Sequence, residues 1–260
     1  MSSEVKENQM LASSPEDALA QRLAFLHEIP LFTVLKAEDL VALASDFRVR
    51  DYRPGDIIFH QGDQSRELYL VMKGKIRVFL LSPAGDETTV IILARRHLLG
   101  EFAIIDGQPR SATAKAISAC TLLEISQTKF WTHLEHTPGL ALAMCKLLVS
   151  KARWTCMYAE TIAQLDAASR LLHLLLLYND EFGQMKEGGQ RSVIDLGLNQ
   201  TDLATLVGAR RGWINSILQD WRKRGLIEFD AGKITLLDLP RIRQERDSRI
   251  AANYVERQPG

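Results

Sequence analysis

A stretch in the middle of the chain carries one acidic and one basic side chain among small residues. This stretch, "GEFAIIDGQPRSATAKA", runs from Gly100 to Ala116 and places Glu101 nine residues before Arg110. Arginine offers a planar, permanently charged fork that fits a phosphate group, and a carboxylate can accept a hydrogen bond from a hydroxyl group. The pair therefore predicts a site for a small anionic ligand that also carries a hydroxyl.

The residues beside this pair favour a close approach of the backbone to such a ligand. A short helical turn after Gly100 would point backbone N–H groups at the anion, as helix N-termini do. Gly100 and Ala103 are small enough to leave room, and Ser111 can add a hydroxyl contact. The competing interpretation is a buried ion pair between Glu101 and Arg110 with no ligand.

The elements that must position these side chains have the texture of short strands. Between Phe47 and Ile125 the runs "DIIFHQG", "ELYLVMKGKIRVFLL", "ETTVIILA" and "CTLLEIS" alternate with turn signals such as Lys73-Gly74. Regular short strands with glycine punctuation are typical of an antiparallel barrel or roll. We expect the interior of this roll to hold the ligand.

A long helical pattern follows the strands. It opens at Pro138 and continues to at least Leu165, which corresponds to about 42 Å at about 1.5 Å per residue. Seven residues along it are spaced alternately by four and three, namely Met144, Leu148, Lys151, Thr155, Tyr158, Ile162 and Leu165. This spacing predicts a coiled-coil seam and hence a parallel homodimer. The alternative is a helix packed lengthwise on its own barrel. The polar side chains of Lys151 and Thr155 indicate that a polar group binds at this seam.

A compact second domain begins near Asp166 and contains two short amphipathic helices joined by a glycine turn. "NQTDLATLVG" reads as a capped helix that ends at Gly208, and "RRGWINSILQDWRKRG" reads as a second helix with Trp221 inward. The following hairpin, "LIEFDAGKITLL", resembles a wing. Together these elements predict a winged helix-turn-helix.

The charge of this domain supports binding to double-stranded DNA. Between Asn199 and Gly225 five basic and two acidic side chains give a net charge of +3, in a chain whose 32 basic and 32 acidic residues balance. Basic residues at the start of the second helix can reach base edges, and those at its end can meet phosphates. The alternative is a solvated helix. The predicted DNA-binding residues are Gln200, Thr201, Arg210, Arg211, Gly212, Trp213, Asn215 and Ser216.

Composition excludes several other classes of function. The longest apolar run, residues 171–177, is interrupted by His173 and is too short for a membrane span, and no secretory signal is visible at the start, so we expect a cytoplasmic protein without a membrane partner. The three cysteines are widely separated and the six histidines form no nucleophile or metal pattern. We therefore expect no catalytic activity, no metal, and three reduced, mostly buried thiols.

Over residues 31–239 the two motifs and the seam helix between them resemble a transcription regulator of the cyclic AMP receptor protein (CRP/FNR) family. "GEFAIIDGQPRSATAKA" is similar to the family's phosphate-binding cassette, and "NQTDLATLVGARRGWINSIL" is similar to its DNA-reading helices. The resemblance implies an α+β fold with an N-terminal cyclic-nucleotide-binding β-roll of jelly-roll type, a long dimerisation helix and a C-terminal winged helix-turn-helix. It also implies a homodimer whose effector is cyclic AMP or cyclic GMP, with no cofactor, and RNA polymerase as a further partner.

The resemblance also assigns roles to individual residues. Gly100 and Glu101 would meet the ribose, Arg110 and Ser111 the phosphate, and Thr155 the purine. The next position, where the family has a serine that reaches the base in the other subunit, is Cys156. The complete set of ligand-binding residues is Gly100, Glu101, Phe102, Ala103, Arg110, Ser111, Ala112, Thr155 and Cys156.

The sequence patterns and the family resemblance together set the expected domains. They are a disordered N-terminal extension at residues 1–20, the β-roll with flanking helices at 21–136, the dimerisation helix at 137–166, the DNA-binding domain at 167–240 and a tail at 241–260. Ser14 and Pro15 predict the start of a first helix. The alternating charges of the tail predict a solvated helix.

Two departures from the family leave the effector and the DNA site open. Cysteine at position 156 is a weaker hydrogen-bonding group than serine. The alternative is therefore a regulator with a different effector, such as cyclic di-GMP or a protein partner, or a constitutive regulator with a degenerate pocket. The recognition helix has Arg211 followed by Gly212 where the family usually has Arg-Glu. Loss of the glutamate removes an acceptor for a cytosine amino group, so the DNA site differs from the family's commonest one.

Overall fold

The computed structural model describes residues 14–186, 188–230 and 232–255. The fold is α+β, with a β-roll, a long helix and a C-terminal domain in chain order, as predicted. None of the helices in these described ranges is long and apolar enough to cross a membrane.

Among residues 14–47, the helical elements before the β-roll are α1 (Pro15–His27), a 3₁₀ turn (Pro30–Phe32) and α2 (Ala37–Asp46). The Ser14 side chain caps α1 by accepting a hydrogen bond from the backbone N–H of Asp17 at 3.1 Å, as the sequence predicts. Because α1 begins at Pro15, disorder over the last part of the expected extension at residues 1–20 is wrong. Residues 1–13 lie outside the described ranges.

The β-roll consists of two four-stranded antiparallel sheets. In chain order the strands are β1 (Arg48–Tyr52), β2 (Ile57–Phe59), β3 (Glu67–Lys73), β4 (Ile76–Leu81), β5 (Glu87–Leu93), β6 (Leu98–Leu99), β7 (Thr113–Ala116) and β8 (Cys120–Ser126). One sheet has the order β1-β8-β3-β6 and the other β2-β7-β4-β5. Inward-facing residues of both sheets, including Phe59, Val71 and Leu122, form the core of the roll. The expected antiparallel roll is confirmed, and its turn at Gly74 needs glycine because φ is +92° there.

Three further helices surround the roll. They are α3 (Glu101–Asp106), which lies inside the "GEFAIIDGQPRSATAKA" stretch, α4 (Gln127–His136) and α5 (Pro138–Gln164). With 27 residues, α5 is about 40 Å long.

One face of α5 packs on its own chain, and this corrects the seam predicted from sequence. Met144 is buried and Leu148 partly buried in the core that α1 and α4 share with the roll, and Leu165 is buried at the end of the helix. Lys151 and Tyr158 also form hydrogen bonds within their own chain. Most of the predicted seam residues therefore hold α5 on its own domain, which is the alternative that the sequence left open.

The C-terminal domain contains four helices and a four-stranded sheet. Its elements are α6 (Ala167–Phe182), β9 (Gln184–Met185), β10 (Ser192–Asp195), α7 (Gln200–Val207), α8 (Arg211–Lys223), β11 (Ile227–Asp230), β12 (Lys233–Leu236) and α9 (Leu239–Val255). Helices α7 and α8 and the β11–β12 hairpin form the predicted winged helix-turn-helix, with Trp221 buried in its core. The tail is helical as expected, but Ile242 is fully buried, so α9 is anchored in the domain and is solvated only on its outer side.

Candidate functional site

The stretch from Gly100 to Ala116 folds as a short helix followed by a strand. Gly100 adopts φ +84° directly before α3, where a residue with a side chain would be strained. A Cβ at Gly100 would also collide with Nη1 of Arg110 and with the carbonyl oxygen of Glu67. The glycine is therefore required both for the backbone turn and for the approach of the arginine. The sequence predicts the helical turn, but it contains no pattern that predicts strand β7 at the end of the stretch.

Arg110 is buried inside the roll, with only 1% of its side chain exposed. Its Nε donates to Oγ of Ser65 at 3.0 Å, its Nη1 donates to the carbonyl oxygen of Gly100 at 3.0 Å, and its Nη2 donates to the carbonyl oxygen of Glu67 at 2.8 Å. Nη2 also lies 3.4 Å from Oε2 of Glu67, and the guanidinium sits 4.2 Å from the ring centroid of Phe59. Burial lowers the pKa of Arg110 from its ordinary value, partly opposed by nearby acidic groups. The guanidinium is thus held rigidly within the roll and faces away from bulk water.

Glu101 is also buried, and it forms an ion pair with the long helix. Its Oε1 accepts a hydrogen bond from Nζ of Lys151 at 2.6 Å, and the same ammonium group donates to the carbonyl oxygen of Leu98 at 3.0 Å. Nζ lies 6.0 Å from the ring centroid of Phe102. Lys151, which the sequence marks only as a polar residue on the seam, therefore connects α3 and β6 to α5. A direct Glu101–Arg110 ion pair, the ligand-free alternative, does not form.

The remaining predicted ligand residues differ in their exposure. Ala103 and Ala112 are buried, whereas Ser111 and Phe102 are exposed, Phe102 with 45% of its surface. Thr155 and Cys156 are exposed on α5, and Oγ1 of Thr155 donates to the carbonyl oxygen of Lys151 at 3.0 Å. Three residues that hold Arg110 could not be found from the sequence, because Ser65, Glu67 and Phe59 come from β2 and the region of β3 and belong to no local motif.

The first helix of the helix-turn-helix is fixed at both ends. Asn199 accepts hydrogen bonds from the backbone of Thr201 and Asp202, while Asp202 accepts one from the backbone N–H of Asn199, which makes a complete capping box. Gly208 ends the helix at φ +62°, as the sequence predicts for the turn. Nε2 of Gln200 donates to Oδ1 of Asn215 at 3.3 Å, so the two helices are also joined by side chains.

The second helix, α8, presents the predicted DNA-binding residues on its open side. Arg210, Arg211, Gly212, Asn215 and Ser216 are exposed and Trp213 has 60% of its surface exposed, whereas Ile214, Ile217, Leu218 and Trp221 face the core. An open groove of about 680 Å³ runs between the start of α7 and the wing, and it is lined by residues that include Gln200, Thr201 and Arg211. The structure thus brings Gln200, Thr201 and Arg211 together at this groove and leaves the other predicted residues of α8 exposed.

Not every basic residue of this region is available to DNA. The guanidinium of Arg224 binds Glu245 of α9 through two hydrogen bonds of 3.1 and 2.6 Å and lies 3.4 Å from Asp220. Arg222 and Lys223 are exposed. Arg224 therefore anchors α9, and the phosphate contacts expected at the end of α8 stay a prediction that fits Arg222 and Lys223 better.

The C-terminal domain is joined to the β-roll through a buried arginine of β4. The Arg77 guanidinium donates to Oε2 of Glu87 at 2.6 Å and to Oγ1 of Thr89 at 2.7 Å, both on β5. On α7 it donates to Oγ1 of Thr205 at 3.0 Å and lies 3.4 Å from Oδ1 of Asp202. One side chain therefore binds both domains. The sequence contains no local signal for this contact because its partners are 128 residues apart.

Further contacts extend this interface. The hydroxyl of Tyr158 on α5 donates to the carbonyl oxygen of Leu206 at 2.9 Å, and the backbone N–H of Ile92 donates to the hydroxyl of Tyr178 at 3.1 Å. Ile92 is fully buried in the core of the C-terminal domain, although it belongs to β5. The β-roll, the long helix and the C-terminal domain thus share one packed interface.

Two family models match the chain. The model described as "Cyclic nucleotide-binding domain" matches residues 49–137, and the model described as "Crp-like helix-turn-helix domain" matches residues 169–245. The first region contains Glu101 and Arg110, and the second contains α7 and α8.

Similar proteins support the same assignment. The "Global nitrogen regulator" of Synechocystis sp. is 32% identical over 181 residues, which cover 69% of this chain and 80% of that protein. The "Cyclic AMP receptor protein" of Thermus thermophilus is 28% identical over 206 residues, or 79% of this chain and 91% of that protein. Among solved structures, the "c-di-GMP Responsive Global Regulator CLP" of Xanthomonas campestris has a TM-score of 0.65 at 20% identity, covers 77% of this chain and 99% of that one, and supports the fold alone.

Proposed function

Because the chain belongs to the cyclic AMP receptor protein (CRP/FNR) family of transcription regulators, we propose that it is a homodimeric DNA-binding regulator that responds to a cyclic nucleotide. The nucleotide, cyclic AMP or cyclic GMP, would lie in the β-roll beside α5. Its binding would change how α5 and the attached DNA-binding domains are arranged.

The observation that carries this proposal is the contact between Glu101 and Lys151. Glu101 lies at the start of α3, next to the buried Arg110, and Lys151 lies on α5. A ligand whose ribose hydroxyl donates to the Glu101 carboxylate would therefore act where the roll meets the long helix, with its phosphate near Arg110. A ligand shifts an equilibrium only through its different affinities for the two arrangements. A hundredfold preference, about 2.7 kcal/mol, is enough to shift a balance of this kind substantially.

The exposed face of α5 supports the homodimer. Seven residues alternate by three and four along it and are all exposed in the single chain, namely Leu142, Cys145, Val149, Ala152, Cys156, Ala159 and Ala163. We call this set the open seam. All its side chains are apolar or thiol-bearing, and Leu142 and Val149 expose 58% and 54% of their surfaces. An a/d pattern of this kind is covered by the same face of a second parallel helix, so a second copy of the chain is the occupant that fits it.

A dimer of this kind would present two copies of α8. Their separation in a complex with DNA would be about 34 Å, the distance between successive major grooves on one side of the duplex. Exposed Arg210 and Arg211 at the start of α8 would contact bases or phosphates, and Arg222 and Lys223 would contact the backbone.

The test is a calorimetric titration of the full chain with cyclic AMP and with cyclic GMP. We expect Arg110→Ala to weaken binding by about 3 kcal/mol, or more than a hundredfold, because it leaves a buried phosphate without its charge partner. Arg50→Ala, on β1 with half of its side chain exposed, is the matched control and should leave affinity unchanged. Equal affinity in wild type and Arg110→Ala would remove Arg110 from the ligand site.

A second candidate function is a family regulator with another effector or with none. It is supported by the hydrogen bonds that Arg110 and Glu101 already make within the chain, since side chains satisfied in this way do not require a ligand. Cysteine at position 156 also departs from the family pattern. Thermal-shift measurements with cyclic AMP, cyclic GMP and cyclic di-GMP separate the two candidates, because stabilisation grows with the ratio of ligand concentration to Kd.

A further inference from the structure

Two of the three cysteines lie exposed on the long helix. Cys145 and Cys156 are exposed thiols on α5, whereas Cys120 is buried in β8, where its thiol donates to the carbonyl oxygens of Lys75 and Ser118. Burial raises the pKa of Cys120, which makes its thiolate scarce. The sequence-based expectation of three mostly buried thiols is therefore wrong for two of them. These two are the cysteines available for thiol chemistry.

Both exposed thiols occupy positions of the open seam. Their separation of eleven residues corresponds to about three turns, or about 16 Å. A disulfide requires its two Cα atoms to lie within about 7 Å, so the two cysteines of one helix cannot bridge to each other. Each can form a disulfide only with a cysteine that another molecule brings to it.

A parallel pair of identical helices brings each seam residue opposite its own counterpart. Residues at a and d positions of such a pair lie next to the twofold axis, where the same residue of each copy meets. The seam neighbours of Cys156 are Ala152 and Ala159, and those of Cys145 are Leu142 and Val149. Since the distance between packed helices falls with the size of the side chains between them, the helices approach most closely around Cys156.

We propose that Cys156, and more slowly Cys145, forms a disulfide with the same cysteine of a second copy, which makes the dimer sensitive to thiol oxidation. This inference rests on the homodimer of the proposed function and goes beyond it. Small neighbours favour Cys156, while the bulkier neighbours of Cys145 hold its helices farther apart.

The chemistry is thiol–disulfide exchange with a disulfide oxidant such as oxidised glutathione. The thiolate of one Cys156 attacks the glutathione disulfide, forms a mixed disulfide and releases one glutathione thiolate. The thiolate of the second Cys156 then attacks the protein sulfur of the mixed disulfide and releases the second glutathione. Two protein thiols are oxidised to one disulfide, and one oxidised glutathione is reduced to two thiols. The product is a dimer that no longer dissociates on dilution, so its binding to DNA depends on the concentration of dimer alone and no longer on the monomer–dimer equilibrium.

The test uses the reduced full chain in defined mixtures of reduced and oxidised glutathione. Covalent dimer is measured on non-reducing gels, and the non-covalent dimer is measured separately by sedimentation under reducing conditions. We expect wild type and Cys145→Ser to form a covalent dimer that a reductant cleaves. Cys156→Ser should form it at least several-fold more slowly, and the double serine variant should form none. The matched control adds Ser150→Cys, an exposed position on α5 outside the open seam, to the double serine variant.

The outcomes separate this inference from the proposed function. One outcome is that the chain sediments as a dimer but forms covalent dimer no faster than the Ser150→Cys control. This result would overturn the disulfide and leave the homodimer unchallenged. Sedimentation as a monomer would overturn both. Faster linkage through Cys145 than through Cys156 would overturn the argument from their neighbours.

Discussion

Replacing Arg77 by methionine should destabilise the chain far more than the loss of an exposed ion pair on the same β-roll. Only 5% of the Arg77 side chain is exposed, and its guanidinium holds Glu87 and Thr89 on β5 and Thr205 and Asp202 on α7. Methionine keeps much of the aliphatic volume but removes every polar contact.

The magnitude follows from the exposure of the partners. Removing one member of a buried ion pair costs about 3–5 kcal/mol. Here the two carboxylates keep some access to water, because 39% of the Glu87 side chain and 21% of the Asp202 side chain are exposed. The cost should therefore be lower, about 2–3 kcal/mol, which lowers Tm by about 5–10 °C for a chain of this size.

Calorimetry measures the stability, and hydrogen exchange locates the loss. Because Arg77 bonds to both domains, backbone amides of α7 should lose protection along with those of β5. Arg50→Met is the matched control, since Arg50 pairs with Glu124 at 3.2 Å but has half of its side chain exposed. Its loss should change stability little, because an exposed ion pair is screened by water and contributes little. An equal loss in both variants, with α7 protection unchanged, would refute the claim that Arg77 joins the two domains.

Three further predictions concern charge, DNA and the glycine of the ligand site. Burial lowers the pKa of His173, whose ring nitrogens have no hydrogen-bond partner among the described residues, so its contribution to stability is complete above about pH 6.5 and is lost as pH falls through its lower folded-state value. His173→Leu should flatten this acid-side fall in denaturant titrations, and an unchanged pH slope would contradict it. Arg222→Ala should weaken DNA binding and reduce the slope of log K against log salt by about 1, whereas Arg224→Ala should chiefly lower Tm, because Arg224 binds Glu245. The reverse pattern would refute the assignment. Gly100→Ala should weaken cyclic-nucleotide binding in calorimetry by displacing Arg110, and wild-type affinity in that variant would show that the collision is relieved elsewhere.

Local signals allowed much of the fold to be predicted from the sequence. The turn at Gly208, the inward face of α8 around Trp221 and the glycine turns of the roll each depend on residues close together in the chain, so their spacing is visible in the sequence. The same holds for the helical turn after Gly100. Glu101 and Arg110 could be predicted as ligand residues because both lie in this one short stretch.

The register of α5 could not be predicted in the same way. The helix has two stripes with a repeat of three and four, one through Met144 and Leu148 and one through Cys145 and Val149. Both have the period of a coiled coil, so periodicity alone cannot tell which stripe faces the β-roll and which remains exposed. The structure assigns the first to the roll, because Met144 is buried and Val149 is exposed.

Contacts between distant parts of the chain were also beyond the sequence. Arg110 is held by Ser65 and Glu67, 45 and 43 residues earlier, and Arg77 reaches Thr205 across 128 residues. Such pairings depend on how the sheets and helices pack, and no local motif encodes them. The ion pair between Glu101 and Lys151 belongs to the same class, although Lys151 and Thr155 were visible in the sequence as polar residues on this stripe.

The most direct test of the account is the response of DNA affinity to the nucleotide, measured by fluorescence anisotropy on a duplex that the protein selects from a random library. With wild type, saturating cyclic AMP or cyclic GMP should change the Kd for this duplex by about a hundredfold, and with Arg110→Ala the Kd should be the same with and without nucleotide. A wild-type Kd that neither nucleotide changes, or an equal change in both proteins, would contradict the account.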